Sequence, residues 1–194
     1  MRSVLRSFQS LVLLSAMCSL AVPAVAHEGH EAEKKPAQEA ATPTVEEQIA
    51  GLEAMCAEAT EAREKRQAEE SLYLRLGKDA KIHALTKEVV RLHLENDAIK
   101  HLFKAEYADS VAERVAKFMI SGTGGPQVYK GPSLEESHAN MKLTNADFLA
   151  AGGDIIQAMK NLEYPQSTID DLVCALVSMR TQVILPEEPK QKKD

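Results

Sequence analysis

Apolar residues are spread unevenly along the chain. Leu11 to Val22 is an apolar run interrupted only by Ser15 and Ser19, whereas residues 27–44 (HEGHEAEKKPAQEAATPT) show no apolar period at all. Val45, Ile49, Leu52 and Cys56 then recur at helical spacing in a segment, 45–70, that is otherwise mostly charged or Ala. That spacing predicts an amphipathic helix whose narrow stripe needs a surface to cover. From residue 71 to 185 apolar density is high, and 186–194 is a polar tail. Start and stop signals divide the dense region. Asp79 is a candidate cap for a helix carrying Leu85, Val89 and Leu92, followed by a short stretch through Ile99, Leu102 and Phe103. A helix from about Asp109 turns Val111, Val115, Phe118 and Met119 inward and ends at Gly122-Thr123-Gly124-Gly125-Pro126. Ser133-Leu134-Glu135-Glu136 is a capping box opening a short helix that carries His138. Thr144-Asn145-Ala146-Asp147 opens a helix burying Phe148, Ile155, Met159 and Leu162. Pro165 interrupts, and Ser167 opens a last helix with Ile169, Leu172, Val173, Leu176 and Val183 on one face. No strand-type alternation and no internal repeat occur, so the fold class is all-α.

Composition agrees. Trp is absent, aromatics make up 4%, and 9 Gly with 8 Pro are too few turn-formers for a barrel or sandwich. A net charge of −6 argues against nucleic acid as a partner, because phosphate neutralisation needs a basic patch. Residues 1–26 combine Arg2 and Arg6, the apolar run and Ala24-Val25-Ala26, the pattern of a secretory signal peptide. The run falls short of the roughly 18 apolar residues of a membrane span, so no span is expected after cleavage. The expected location is the periplasm or the exterior, with 27–44 as a disordered tether. Cys56 and Cys174 then lie in a compartment that permits disulfides. Cys56 is on the lone stripe of 45–70, and Cys174 lies roughly opposite the apolar face of its helix. Docking one on the other predicts a Cys56–Cys174 disulfide; two free thiols or an intermolecular bridge are the alternatives.

Several chemical motifs fall away. Gly122-Thr123-Gly124-Gly125 is not followed by Gly-Lys-Ser/Thr and reads as a helix-ending loop. His27-Glu28-Gly29-His30 has its histidines three apart, not the four a zinc protease needs. Cleavage after Ala26 would still place an amine beside an imidazole that can chelate Cu(II) or Ni(II). No Ser–His–acid or Cys–His set can be assembled, and no Cys-x-x-Cys-His exists for covalent haem. His138 remains. The three phenylalanines outside the signal, Phe103, Phe118 and Phe148, lie in segments that would converge with it. That suits a flat macrocycle, and it equally suits an ordinary core.

Residues 72 to 184 resemble the group 1 truncated haemoglobins. The resemblance is carried by Ser71-Leu72-Tyr73-Leu74-Arg75-Leu76-Gly77, by Ile99 to Phe103, and by Gly124-Gly125-Pro126 with Tyr129 and Gly131. Glu136-Ser137-His138-Ala139 and Leu143 to Phe148 complete it. The resemblance implies a two-over-two helical sandwich enclosing b-type haem, with His138 as proximal iron ligand and Phe103 stacking on the haem. Val90, Val111 and Val115 stand where the family usually has a distal tyrosine and glutamines. Arg114 falls where some relatives carry a basic residue that reaches a propionate or even the iron, and an arginine suits the former. The implied cofactor-binding set is therefore His138, Val90, Phe103, Val111, Arg114, Val115, Phe118, Tyr129 and Phe148. Two functions follow: an exported haem protein binding O2, NO or CO in an apolar pocket, or a haem-free interaction or metal-handling module acting through 45–70 and the HEGH tether. A redox partner and nitric oxide dioxygenase or peroxidase activity are compatible with the first, but no residue argues for them.

Overall fold

The structure, a computed structural model, describes residues 42–185. The expected signal peptide, His27, His30 and the 186–194 tail lie outside that range. All the described regular structure is helical. Nine α-helices follow one another: α1 Val45–Glu58, α2 Thr60–Glu69, α3 Leu72–Arg75, α4 Lys78–Glu95, α5 Ala108–Gly122, α6 Leu134–His138, α7 Asn145–Asn161, α8 Gln166–Ser178 and α9 Arg180–Val183. Single 3-10 turns sit at Lys100–Leu102 and Ala105–Tyr107.

Local chemistry explains most of the boundaries. Capping boxes start α1 (Thr44 with Glu47), α6 (Ser133 with Glu136) and α7 (Thr144 with Asp147). Each satisfies two N–H groups that the first helical turn would leave bare. Three expectations need correction. Asp79 is not the cap of α4; Gly77 holds that place at φ +83°, a left-handed turn that favours glycine. Asp79 instead accepts a hydrogen bond from the Tyr73 hydroxyl at 2.8 Å. Pro165, not Ser167, occupies the cap of α8, and the helix breaks at Met179 so that Val183 belongs to α9. Segment 45–70 is broken at Ala59 into α1 and α2.

Two helix pairs, α4 with α5 and α7 with α8, are joined through contact of α4 with α7. Leu76, Ile82, Leu85, Ala116, Ile120, Ala158, Met159 and Ile169 form the centre, each at most 2% exposed. The small Ala112 and Ala116 let α5 lie close on α4. The expected stripe of α1 is real: Ile49 and Cys56 are buried, and the helix packs on α7 and α8. Cys56 and Cys174 are joined as a disulfide, with Cα atoms 5.3 Å apart. α2 buries nothing apolar. It is held by charge: Arg66 chelates both carboxylate oxygens of Asp171, and Arg75 reaches the same group at 2.7 Å. Arg63 approaches it at 3.9 Å.

Candidate functional site

α6 is five residues long, too short to hold itself by backbone bonds alone, and its capping box and contact with α9 fix it. His138 is its last residue and is half-buried. Its Nδ1 lies 2.7 Å from the Leu134 carbonyl oxygen, one turn back. A carbonyl can only accept, so Nδ1 carries a hydrogen, and in the neutral ring Nε2 then keeps its lone pair. This is the tautomer a metal-ligating imidazole adopts when its second nitrogen is spent on a backbone acceptor.

α5 carries four further residues of the implied set, Val111, Arg114, Val115 and Phe118. The fully buried residues of α5 are Ala112, Ala116 and Ile120, so its inward edge differs from the one expected. Val111 and Phe118 are half-covered and Val115 is 37% exposed, because the main packing partners of α5 are α4 and the 105–107 turn. Phe103, Leu143, Phe148 and Leu149 are also only half-buried. Val90 differs, at 5% exposed on α4.

Tyr129 connects α5 to the loop before α6. Its ring meets Phe118 edge-on at 5.3 Å, and its hydroxyl donates to the Pro132 carbonyl at 2.8 Å. Its backbone N–H and that of Val128 donate to Ser121 Oγ at 2.9 and 3.0 Å. Arg114 is exposed, and with Ser110, Glu113, Lys117 and residues 128–131 it lines a surface cleft of about 420 Å³. Arg114, Lys117 and Lys130 against Glu113 give that cleft a positive balance suited to carboxylates. A larger cleft of about 520 Å³ lies elsewhere, between α2 and α8 near Asp171, and does not include these residues.

The structure thus links Phe118 through Tyr129 to the loop that leads into α6, the helix of His138, and places Val111, Arg114 and Val115 along α5. It also reveals a buried pair that sequence reasoning overlooked. His93 is buried on α4, bonded through Nδ1 to Asp154 and packed on Phe103. The one available signal was its position one turn beyond Val90 on the same helical face.

A short, all-helical domain of two stacked pairs, with a histidine pinned by its Nδ1 on a short capped helix, has the form of a truncated globin. Comparison with known proteins agrees. Residues 71–184 match the family described as bacterial-like globin. The group 1 truncated hemoglobin of Tetrahymena thermophila is 30% identical over 92 residues, 47% of this chain and 76% of that protein. The crystal structure of truncated hemoglobin from Tetrahymena pyriformis in its Fe(III) form superposes with a TM-score of 0.55 at 24% identity, covering 61% of this chain and 100% of that one. The 2/2 hemoglobin from Synechococcus sp. PCC 7002, solved in the cyanomet state with covalently attached heme, gives 0.55 at 23%, covering 59% and 98%. The chain belongs to the bacterial-like globin family, and residues 71–184 are its truncated globin domain.

Proposed function

We propose that this globin binds haem b, with His138 as the axial ligand, and takes a diatomic gas on the opposite face. The observation that carries this reading is the His138 tautomer: Nδ1 is committed to Leu134, which leaves Nε2 available to a metal. The rest of the chain fits the group. Val111, Val115, Phe118 and Phe148 offer partly covered apolar surface to a flat macrocycle, and the resemblance implies that Phe103, also half-buried, stacks on it. Arg114, with Tyr129 close by, lines a basic cleft suited to propionates. When bound, haem supplies an iron site at which O2, NO or CO can be held. Val90, Val111 and Val115 exclude water from that side but carry no hydrogen-bond donor. This favours ligands that need no donor over oxygen.

The experiment is haem titration of the full chain, with a pyridine haemochrome spectrum to fix the haem type. The expected result is a stoichiometric Soret band that His138→Ala abolishes or sharply weakens while circular dichroism keeps the helical content. An unchanged Soret band in that variant sinks the assignment. We further propose export, on the pattern of residues 1–26. Fractionation that leaves the protein in the cytoplasm with its first residues intact would refute it. Among the described residues no helix is long and apolar enough to cross a membrane.

A further inference from the structure

His138 stands on a helix with little of its own to hold it. α6 is five residues long and α9, against which it packs, is four, and neither contains a fully buried residue. Helices this short are marginal on backbone bonds alone, and without a buried face the pair draws little from the core. In the connector from α6 to α7, residues 139–144, Lys142 lies at φ +50°. A lysine keeps that left-handed conformation only where its surroundings impose it. The polar anchor of α9 is its first residue. Arg180 is 19% exposed at its side chain, and its guanidinium forks between two helices. Nη1 donates to Asn145 Oδ1 at 2.9 Å, on the first residue of α7, and Nη2 donates to Glu53 Oε1 at 2.8 Å, on α1. Arg180 Nε is buried with no hydrogen-bond partner among the described residues, a cost that an apolar side chain there would not carry. A planar fork can hold two acceptors on different helices at once. One side chain therefore ties the helix beside α6 to the start of the helix that follows α6, and both to the N-terminal extension.

We propose that Arg180 is a positioning residue for His138, and that Glu53 gives α1 a hold on the same helix, so that the extension sets how His138 presents Nε2. The inference rests on the haem reading above for what His138 ligates. The linkage itself, from α1 through Arg180 and α9 to α6, stands on the hydrogen bonds and the packing.

Two measurements on the full chain test it. The first is hydrogen exchange at the Ser137 and His138 amides, read by NMR on the protein as isolated. Exchange is expected to be faster by about three- to tenfold in Arg180→Gln. The effect should be smaller in Glu53→Gln, which removes a half-exposed partner and spares the Asn145 bond. The second is the iron–histidine stretch of haem-loaded, five-coordinate ferrous protein, read by resonance Raman. It is expected to shift or broaden in the same order. Asp171→Asn is the control, because its ion-pair partners all lie on α2 and α3. That variant should lose stability and leave the stretch in place. If Arg180→Gln fails to fold, Glu53→Gln decides. Either readout unmoved in a folded Arg180→Gln, or a stretch moved as far by Asp171→Asn, overturns the proposal and leaves haem binding intact. Absence of any Soret band in native protein would instead remove the haem reading, and amide exchange would still decide whether Arg180 holds α6.

Discussion

Val90 is 5% exposed on α4, at a position where the resemblance to group 1 truncated haemoglobins puts a distal tyrosine. A hydroxyl there would donate to oxygen, whose bound form draws electron density, and leave nearly neutral carbon monoxide almost unaffected. A hydrogen bond involving a charged partner contributes about 1.5–3 kcal/mol, and each 1.4 kcal/mol is about tenfold in an equilibrium constant. Val90→Tyr should therefore slow oxygen dissociation by roughly ten- to a hundredfold with little change for carbon monoxide. Stopped-flow measurement of both ligands checks this. Extra bulk at so enclosed a site costs about 1–3 kcal/mol of stability, so Val90→Phe is the control that separates volume from the hydroxyl. If Val90→Phe slows oxygen release as much as Val90→Tyr does, the donor-free account of the native pocket is wrong.

At the scale of elements, local signals were legible and distant meetings were not. The boxes at Ser133–Glu136 and Thr144–Asp147 could be read directly because cap and partner lie three residues apart. Gly77 was missed because a left-handed cap competes with an aspartate two residues on, and propensity alone favours the acid. His93 with Asp154 was invisible for another reason: 61 residues separate them, and only the α4–α7 contact brings them together. The same holds for α2, whose anchorage depends on Asp171 at a separation of 105 residues from Arg66. Burial pushes the Asp171 carboxyl up, but the hydrogen bonds from Arg66 and Arg75 more than offset this and hold it below its ordinary 3.8. A carboxylate depressed on folding stabilises fully above its unfolded value and loses that contribution as pH falls through the lower folded one. The α2 anchorage should therefore be intact at neutral pH and weaken progressively below about pH 4. Asp171→Asn leaves three guanidinium groups without their shared counter-charge. It should cost about 3 kcal/mol, the low end for a broken buried pair, because Arg63 and Arg66 keep some contact with water. Urea denaturation at pH 7 measures the loss. A variant as stable as the native chain at pH 7 would show that α2 is held by something other than this cluster.

At the scale of the molecule, the family match begins at residue 71, yet the folded unit begins earlier. α1 packs on α7 and α8, buries Ile49 and Cys56, and is tied to α8 by the Cys56–Cys174 disulfide. Arg180 adds a bond from Nη2 to Glu53 on α1 at 2.8 Å and one from Nη1 to Asn145 on α7 at 2.9 Å. The extension is therefore a strap across the outer side of the globin and not a free appendage. Its contribution follows from chain statistics. A crosslink spanning 118 residues removes enough freedom from the unfolded chain to stabilise the fold by roughly 4–5 kcal/mol in the entropy model. For a domain of this size that is about 12–15 °C in melting temperature, at about 3 °C per kcal/mol. Cys56→Ser, Cys174→Ser and the reduced native protein should all melt lower by a similar amount, since each loses the same link. Haem uptake at 25 °C should survive, because neither cysteine belongs to the proposed pocket. Intact mass with and without reductant, then melting curves of the oxidised and reduced forms, checks both halves. Two alkylatable thiols in freshly isolated protein, or equal melting temperatures for the oxidised and reduced forms, would mean that the strap is held by packing and by Arg180 alone.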